Sequence, residues 1–130
     1  MTQRWEMFID GRHVRSEHYD DIIDPATEDV VAQVARGDVA AADLAVQAAR
    51  AAHDRGEWRS LPPGERADVL QRLVDLMNEE MDRLADLHVA ENGSTIRTAI
   101  GFHVGYAISN LQFFVDLARR YPFEEGGPAL

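Results

Sequence analysis

ENGSTIRTAIGFHVGYAISNLQFFVDLARRY, residues Glu91–Tyr121, is the stretch to which the other segments must fit. Asn92-Gly93 stops one helix, and Ser94 or Thr95 can cap the next by offering a side-chain oxygen to free amide N–H groups. From there apolar residues recur at helical spacing: Ile96, Ile100, Val104, Ala107, Leu111, Phe114 or Val115, and Ala118. A second row, Phe102, Tyr106 and Phe113, runs beside the first. A surface helix needs one apolar stripe, so a helix with two is expected to be covered on two sides. One side serves the rest of this chain. The other calls for a ligand cavity or another piece of protein.

Working upstream, apolar residues from Ala67 through Leu70, Leu73, Val74 and Met77 keep helical register. Met81, Leu84, Leu87, His88 and Ala90 carry the period on to Asn92-Gly93, which predicts one helix over about 66–91. Pro63 suits its N-terminal turn. Glu57–Pro63 is a loop, expected to be pinned by Trp58 and Leu61. Before it, Asp38 caps a helix over about 38–55, its carboxylate facing free N–H groups and the positive end of the dipole. Ala41, Leu44, Ala45, Ala48, Ala51 and Ala52 share one face of that helix, a surface that lets another backbone come close. The main helix is expected over about 95–120.

The first 37 residues read as short strands. Trp5–Asp10 and His13-Val14 make a small hairpin around a turn at Gly11-Arg12, and Asp21–Asp24 is a short strand ended by Pro25. Asp24–Glu28 is a turn. Val30–Ala35 alternates most clearly, and Arg36-Gly37 breaks it. Phe123–Leu130 is turn-forming.

Composition narrows the classes of function. The chain has 130 residues, no cysteine and a net charge of −10. It therefore has no disulfide, no thiolate nucleophile and no cysteine-ligated metal. A surface so acidic repels phosphate backbones and anionic lipid, which argues against nucleic acid and membrane partners. No apolar run is long enough for a membrane helix. Residues 1–20 carry charges throughout and lack a signal-peptide core, so the cytosol is the default compartment.

Sites of chemistry are hard to find. His13, His18, His53, His88 and His103 are scattered, with no two in one helical turn. His103, on the main helix, reads first as a core or boundary histidine. The acid pairs Asp20-Asp21, Glu79-Glu80 and Glu124-Glu125 read as solvated charge. Neither GxGxxG nor GxxxxGK[ST] is present. Gly101 and Gly105, one turn apart, are expected to admit close packing of another element.

The order of segments says more than any one of them. FIDGRHV (Phe8–Val14) is followed by DPATEDVVAQVARGD (Asp24–Asp38) and DVAAADLAVQAARAAHDRGEW (Asp38–Trp58). RADVLQRLVDLMNEEMDRLADL (Arg66–Leu87) and ENGSTIR (Glu91–Arg97) complete the series. Together they resemble the N-terminal segment of the NAD(P)-dependent aldehyde dehydrogenase superfamily, over nearly the whole chain. That family favours an F-I-[DN]-G strand, [DN]-P-[AS]-T-G-E-V-I, an alanine-rich helix and an E-[TN]-G-K turn. Glu28-Asp29 stands where Gly-Glu is usual, and Ser94 where Lys is usual; both departures lie in turns.

The resemblance implies an α/β fold, in which this chain is a set of N-terminal strands followed by the helical layer of the cofactor-binding domain. It implies a parent enzyme that oxidises an aldehyde to a carboxylic acid through a cysteine thiohemiacetal, with NAD or NADP taking the hydride. The nucleophile, the glutamate base, the oxyanion asparagine and the dinucleotide sheet all come later in the family sequence than Leu130. This chain alone is therefore expected to bind no cofactor and to lack activity. In the family the face carrying Phe102 and Tyr106 lines the tunnel by which aldehyde reaches the cysteine. A monovalent cation is implied at the backbone of Ile22 and the acid of Glu91. The expected partners are the remainder of the dehydrogenase or a complementary subunit, in a homo-oligomer when complete. Two alternatives stay open: a small subunit of a split dehydrogenase, and a helical interaction module descended from the family. The turn-forming Gly126-Gly127-Pro128 favours a piece of a longer enzyme.

Overall fold

A computed structural model describes residues 3–123 and 126–127. Of the expected C-terminal turn, Glu124, Glu125 and Pro128–Leu130 lie outside the described residues. The chain runs β1 (Gln3–Trp5), β2 (Met7–Ile9), β3 (Arg12–Val14), β4 (Tyr19–Ile23) and β5 (Val30–Ala35), then the helices α1 (Val39–Arg55), α2 (Pro63–Glu79) and α3 (Met81–Asn92). A single 3₁₀ turn, Glu57–Arg59, links α1 to α2. The main helix has three parts: α4 (Ile96–Thr98), a π turn (Ala99–Val104) and α5 (Gly105–Ala118).

The strand expected over Trp5–Asp10 is divided at Glu6. β1 joins a three-stranded sheet of order β1-β5-β4, parallel to β5, while β2 pairs antiparallel with β3. The hairpin turns at Asp10-Gly11, one residue earlier than expected. Both residues have positive φ, 53° and 74°, the pair of left-handed conformations that suits the twist of a two-residue hairpin. In the larger sheet Gln33 ties all three strands. Its amide donates to Asp21 Oδ1 at 2.7 Å and its carbonyl accepts from Arg4 Nε at 2.8 Å.

α1 is capped by Asp38, whose Oδ1 accepts the Ala41 N–H at 2.7 Å. Only Ala41 of its alanine face is buried. Trp58 is 46 % exposed, so it does not pin its loop within the described chain. The helix expected over 66–91 is two helices that meet at Glu80, with φ −95° and ψ 9°. Just before the break, Asn78 Nδ2 donates to the Val74 carbonyl at 3.0 Å, a side-chain bond that competes with the backbone ladder.

α2 and α5 pack antiparallel. Ala67, Val74, Ile108 and Val115 form the core cluster, flanked by Leu70, Met77, Val104 and Leu111. Gln71 and Gln112 exchange two amide hydrogen bonds of 2.9 Å across the pair, and Arg119 Nη1 meets Asp68 Oδ1 at 2.6 Å. The core stripe of the main helix is Ala99, Val104, Ile108, Leu111, Val115 and Ala118. Ile96 and Ile100 of the expected stripe are exposed, because the π turn takes up one more residue than an α turn and shifts the phase; Ala107, beyond the turn, is exposed as well. Gly101 has open space around it and Gly105 is crowded only by its own helix, so neither admits another element of the described chain.

The folded chain leaves 10211 Å² accessible, whereas a compact monomer of its mass exposes about 6,900 Å². Much of the excess is apolar: Val39, Val46, Phe8, Phe102, Tyr106, Phe113 and Phe114 are all more than half exposed.

Candidate functional site

Two turns bring the strands and the helices together. α3 ends at Gly93, whose φ of 73° is the left-handed conformation, and whose N–H bonds the Val89 carbonyl at 2.8 Å. A Cβ at Gly93 would lie 2.9 Å from Pro25 Cγ. The turn after β4 is therefore seated directly on the turn after α3. That strand turn is held by Asp24, whose Oδ1 accepts the Ala26 N–H at 2.8 Å and whose carbonyl accepts the Glu28 N–H at 2.8 Å. Thr95, rather than Ser94, caps the next helix, accepting the Thr98 N–H at 3.3 Å. Ser94 Oγ is buried without a partner among the described residues.

An open groove of about 610 Å³ follows, between α3 and the main helix. Phe102 and Tyr106 both line it, with Leu84, Leu87, His88, Glu91, His103 and Asn110. Phe102 is 78 % and Tyr106 63 % exposed, so nothing in the described chain covers either ring. A neighbouring slot of about 420 Å³ lies between α3 and the three-stranded sheet, with Trp5, Ile22, Val34, Leu87 and Glu91 in its walls. Ile22 and Glu91 thus share one slot, and Glu91 belongs to both spaces. The β4–β5 ladder shifts register between Ile22 and Ile23, an irregularity that takes backbone groups out of regular pairing. Glu91 is exposed and Ile22 half-buried.

Sequence spacing did not disclose one further pair. The rings of His88 and His103 lie 4.5 Å apart, tilted by 33°, and His88 Nε2 is buried without a partner among the described residues. The two residues are on different helices, and only tertiary packing joins them. Among the described residues no three His, Asp or Glu side chains gather into a metal-binding group, and no helix is long and apolar enough to cross a membrane.

Comparison with known proteins agrees with this arrangement. The model of the aldehyde dehydrogenase family matches residues 13–127. The chain belongs to that family. It is 37% identical over 111 residues to 2-aminomuconic semialdehyde dehydrogenase from Bos taurus, covering 85% of this chain and 22% of the relative. It is 31% identical over 120 residues to 3,6-anhydro-alpha-L-galactose dehydrogenase from a Vibrio species, covering 91% of this chain and 24% of the relative. Among solved structures, it superimposes with a TM-score of 0.88 and 34% identity on a mutant of aldehyde dehydrogenase C from Pseudomonas syringae in complex with NAD+ and octanal, covering 94% of this chain and 25% of that one. The NAD+ complex of aldehyde dehydrogenase from Bacillus cereus gives a TM-score of 0.87 at 30% identity, covering 92% of this chain and 25% of that one. The chain thus spans about a quarter or less of the length of the relatives it matches, and its strands-then-helices order is the α/β N-terminal piece of this family's fold.

Proposed function

We propose that this chain is the N-terminal layer of the cofactor-binding domain of an NAD(P)-dependent aldehyde dehydrogenase, and that it supplies one wall of the aldehyde path. The match of residues 13–127 to the family carries this reading. The chain holds no cysteine and no glycine-rich phosphate loop, so the nucleophile, the nicotinamide site and the hydride transfer fall to the remainder of the enzyme or to a complementary subunit. The uncovered aromatic face supports such a partner, because exposed apolar patches mark surfaces that another piece of protein covers. The assembled enzyme would be a homo-oligomer in the cytosol.

Within that enzyme Phe102 and Tyr106 bound the aldehyde. They lie four residues apart on one helix, so their rings stand one above the other on the same face. Flat apolar walls suit an apolar or aromatic aldehyde and keep water from the thiohemiacetal. A monovalent cation held by the Ile22 carbonyl and the Glu91 carboxylate would pin the strand turn to the helix turn; removal of sodium and potassium should then lower the melting temperature of the parent more than that of Glu91→Ala. The wall is tested in the assembled enzyme. Phe102→Ala and Tyr106→Ala should reorder aldehydes of different size by about tenfold in relative kcat/KM, with the KM for nicotinamide cofactor nearly unchanged. Variants that lose stability but keep the parent's ranking would refute the wall.

A further inference from the structure

We propose that the π turn Ala99–Val104 is a positioning device, in which one surplus residue holds Phe102 out at the aldehyde wall while the helix before it stays packed on α3 and the helix after it on α2. The inference rests on the reading of Phe102 as part of that wall. Ala99 is fully buried, Val104 half-buried, Ile108 5 % exposed and Val115 fully buried. From Val104 onward the buried positions step by three or four residues, as an α-helix requires. From Ala99 to Val104 the step is five. An α-helix turns about 100° per residue, so five α steps would carry Val104 about 140° away from Ala99. The π turn absorbs that difference through a bond from the Gly105 N–H to the Ile100 carbonyl.

Two glycines make the turn possible in different ways. A Cβ at Gly105 would come 2.3 Å from the Ile100 oxygen that the turn aims at it, whereas a Cβ at Gly101 would meet nothing within 4 Å. Gly105 is thus the residue the turn needs, and Gly101 occupies the outward loop. Gly101, Phe102 and His103 are all exposed. The sequence also contains the unbulged alternative, since Ile96 and Ile100 are in α phase with Val104 and Leu111. Those two isoleucines are nevertheless 46 % and 37 % exposed. Burial of Ala99 in place of larger apolar groups is a cost to packing that a merely structural helix has no reason to carry. Such single π turns inside α-helices recur at functional sites.

The surplus residue gives a direct test in the assembled dehydrogenase. Deletion of Gly101 leaves a four-residue step from Ala99 to Val104, so both halves of the helix keep their core contacts. Deletion of Ser109, exposed on α5 where no residue is surplus, rotates one half away from the core. The first variant should assemble and melt within about 4 °C of the parent, and the second should not. The Gly101 deletion should also change the relative kcat/KM of a bulky aromatic against a short aliphatic aldehyde by about tenfold, the scale on which a change in an apolar wall shifts discrimination. Its KM for the cofactor should stay within about twofold. If the Gly101 deletion is as damaging as the Ser109 deletion, the residue is not surplus and the proposal falls. If it folds and keeps the parent's ranking while Phe102→Ala changes it, the wall stands and the positioning role is wrong. If Phe102→Ala also leaves the ranking intact, the wall reading fails and takes this inference with it.

Discussion

Two left-handed residues bracket the junction between the strands and the helices, and they ask for opposite substitutions. Gly93 has a φ of 73° and no room for a Cβ beside Pro25. Gly93→Ala should cost about 2 kcal/mol, from backbone strain together with the displaced proline ring. Glu28 adopts a φ of 64° with a full side chain, at the position where the family favours glycine. Glu28→Gly relieves the left-handed penalty and should raise stability by about 0.5 kcal/mol, net of the freedom glycine adds to the unfolded chain. Urea midpoints of the two variants should move in opposite directions; movement in the same direction would sink the conformational argument. Asp20 offers a pH-dependent counterpart. The hydrogen bonds it accepts from Arg36, one of them 3.0 Å from Nε, outweigh desolvation and, with a smaller help from the charge of that guanidinium, hold its carboxyl below the usual aspartate value. A depressed folded value contributes stability above the ordinary aspartate range, and that contribution is lost as pH falls through it towards the depressed value. Asp20→Asn should therefore melt below the parent at neutral pH and match it in strong acid. A separation that is the same at every pH would remove this account.

Among the elements, α2 and α5 are joined by more than their apolar core. Gln71 and Gln112 exchange two bonds, and each amide also donates to a carboxylate on its own helix, Asp75 at 3.1 Å and Asp116 at 3.0 Å. Truncating one glutamine strands the other in a half-buried place, so Gln71→Leu alone should cost about 1–2 kcal/mol. The double change Gln71→Leu with Gln112→Leu removes both polar groups and should recover most of that loss. A double-mutant cycle reads the coupling directly, and strict additivity would show that the pair contributes no register. How far such elements can be read in advance depends on whether their cause is local. Asp38, Asn92-Gly93 and the alternation of Val30–Ala35 each act within a few residues, and α1, the end of α3 and β5 are legible from them. The break at Glu6 depends on β1 finding β5 across the chain, and the break at Glu80 lies beside one side-chain bond of Asn78 that no periodicity announces. The π turn was hidden for another reason. Ile96, Ile100, Val104 and Leu111 form an unbroken α stripe, and no local rule states that Ala99 will be buried instead. Phe102 and Tyr106 are legible in the sequence as a second apolar row. The groove they line and the meeting of His88 with His103 needed α3 laid against the main helix.

At the scale of the whole molecule the decisive quantity is uncovered apolar surface. An ordinary domain of this length buries most of its large apolar side chains. Here both rings of the candidate wall, Phe113, Phe114, Val39 and Val46 remain in water, and among the described residues the core cluster has four buried members. Surface charge keeps such a chain dispersed only in part, because the repulsion from a net charge of −10 is screened beyond about 8 Å in physiological salt. Once two molecules touch, the aromatic face favours their association. Residues 1–130 expressed alone should therefore bind a hydrophobic dye strongly, melt over a broad range and self-associate as concentration rises. They should also show neither aldehyde oxidation nor nicotinamide binding. The complete dehydrogenase, with that face covered, should melt sharply and leave the dye dark. Dye fluorescence, calorimetry and sedimentation of the two proteins side by side decide the matter. A monomeric fragment with one sharp transition and no dye signal would mean that this surface needs no partner, and would restore the stand-alone module as the better reading.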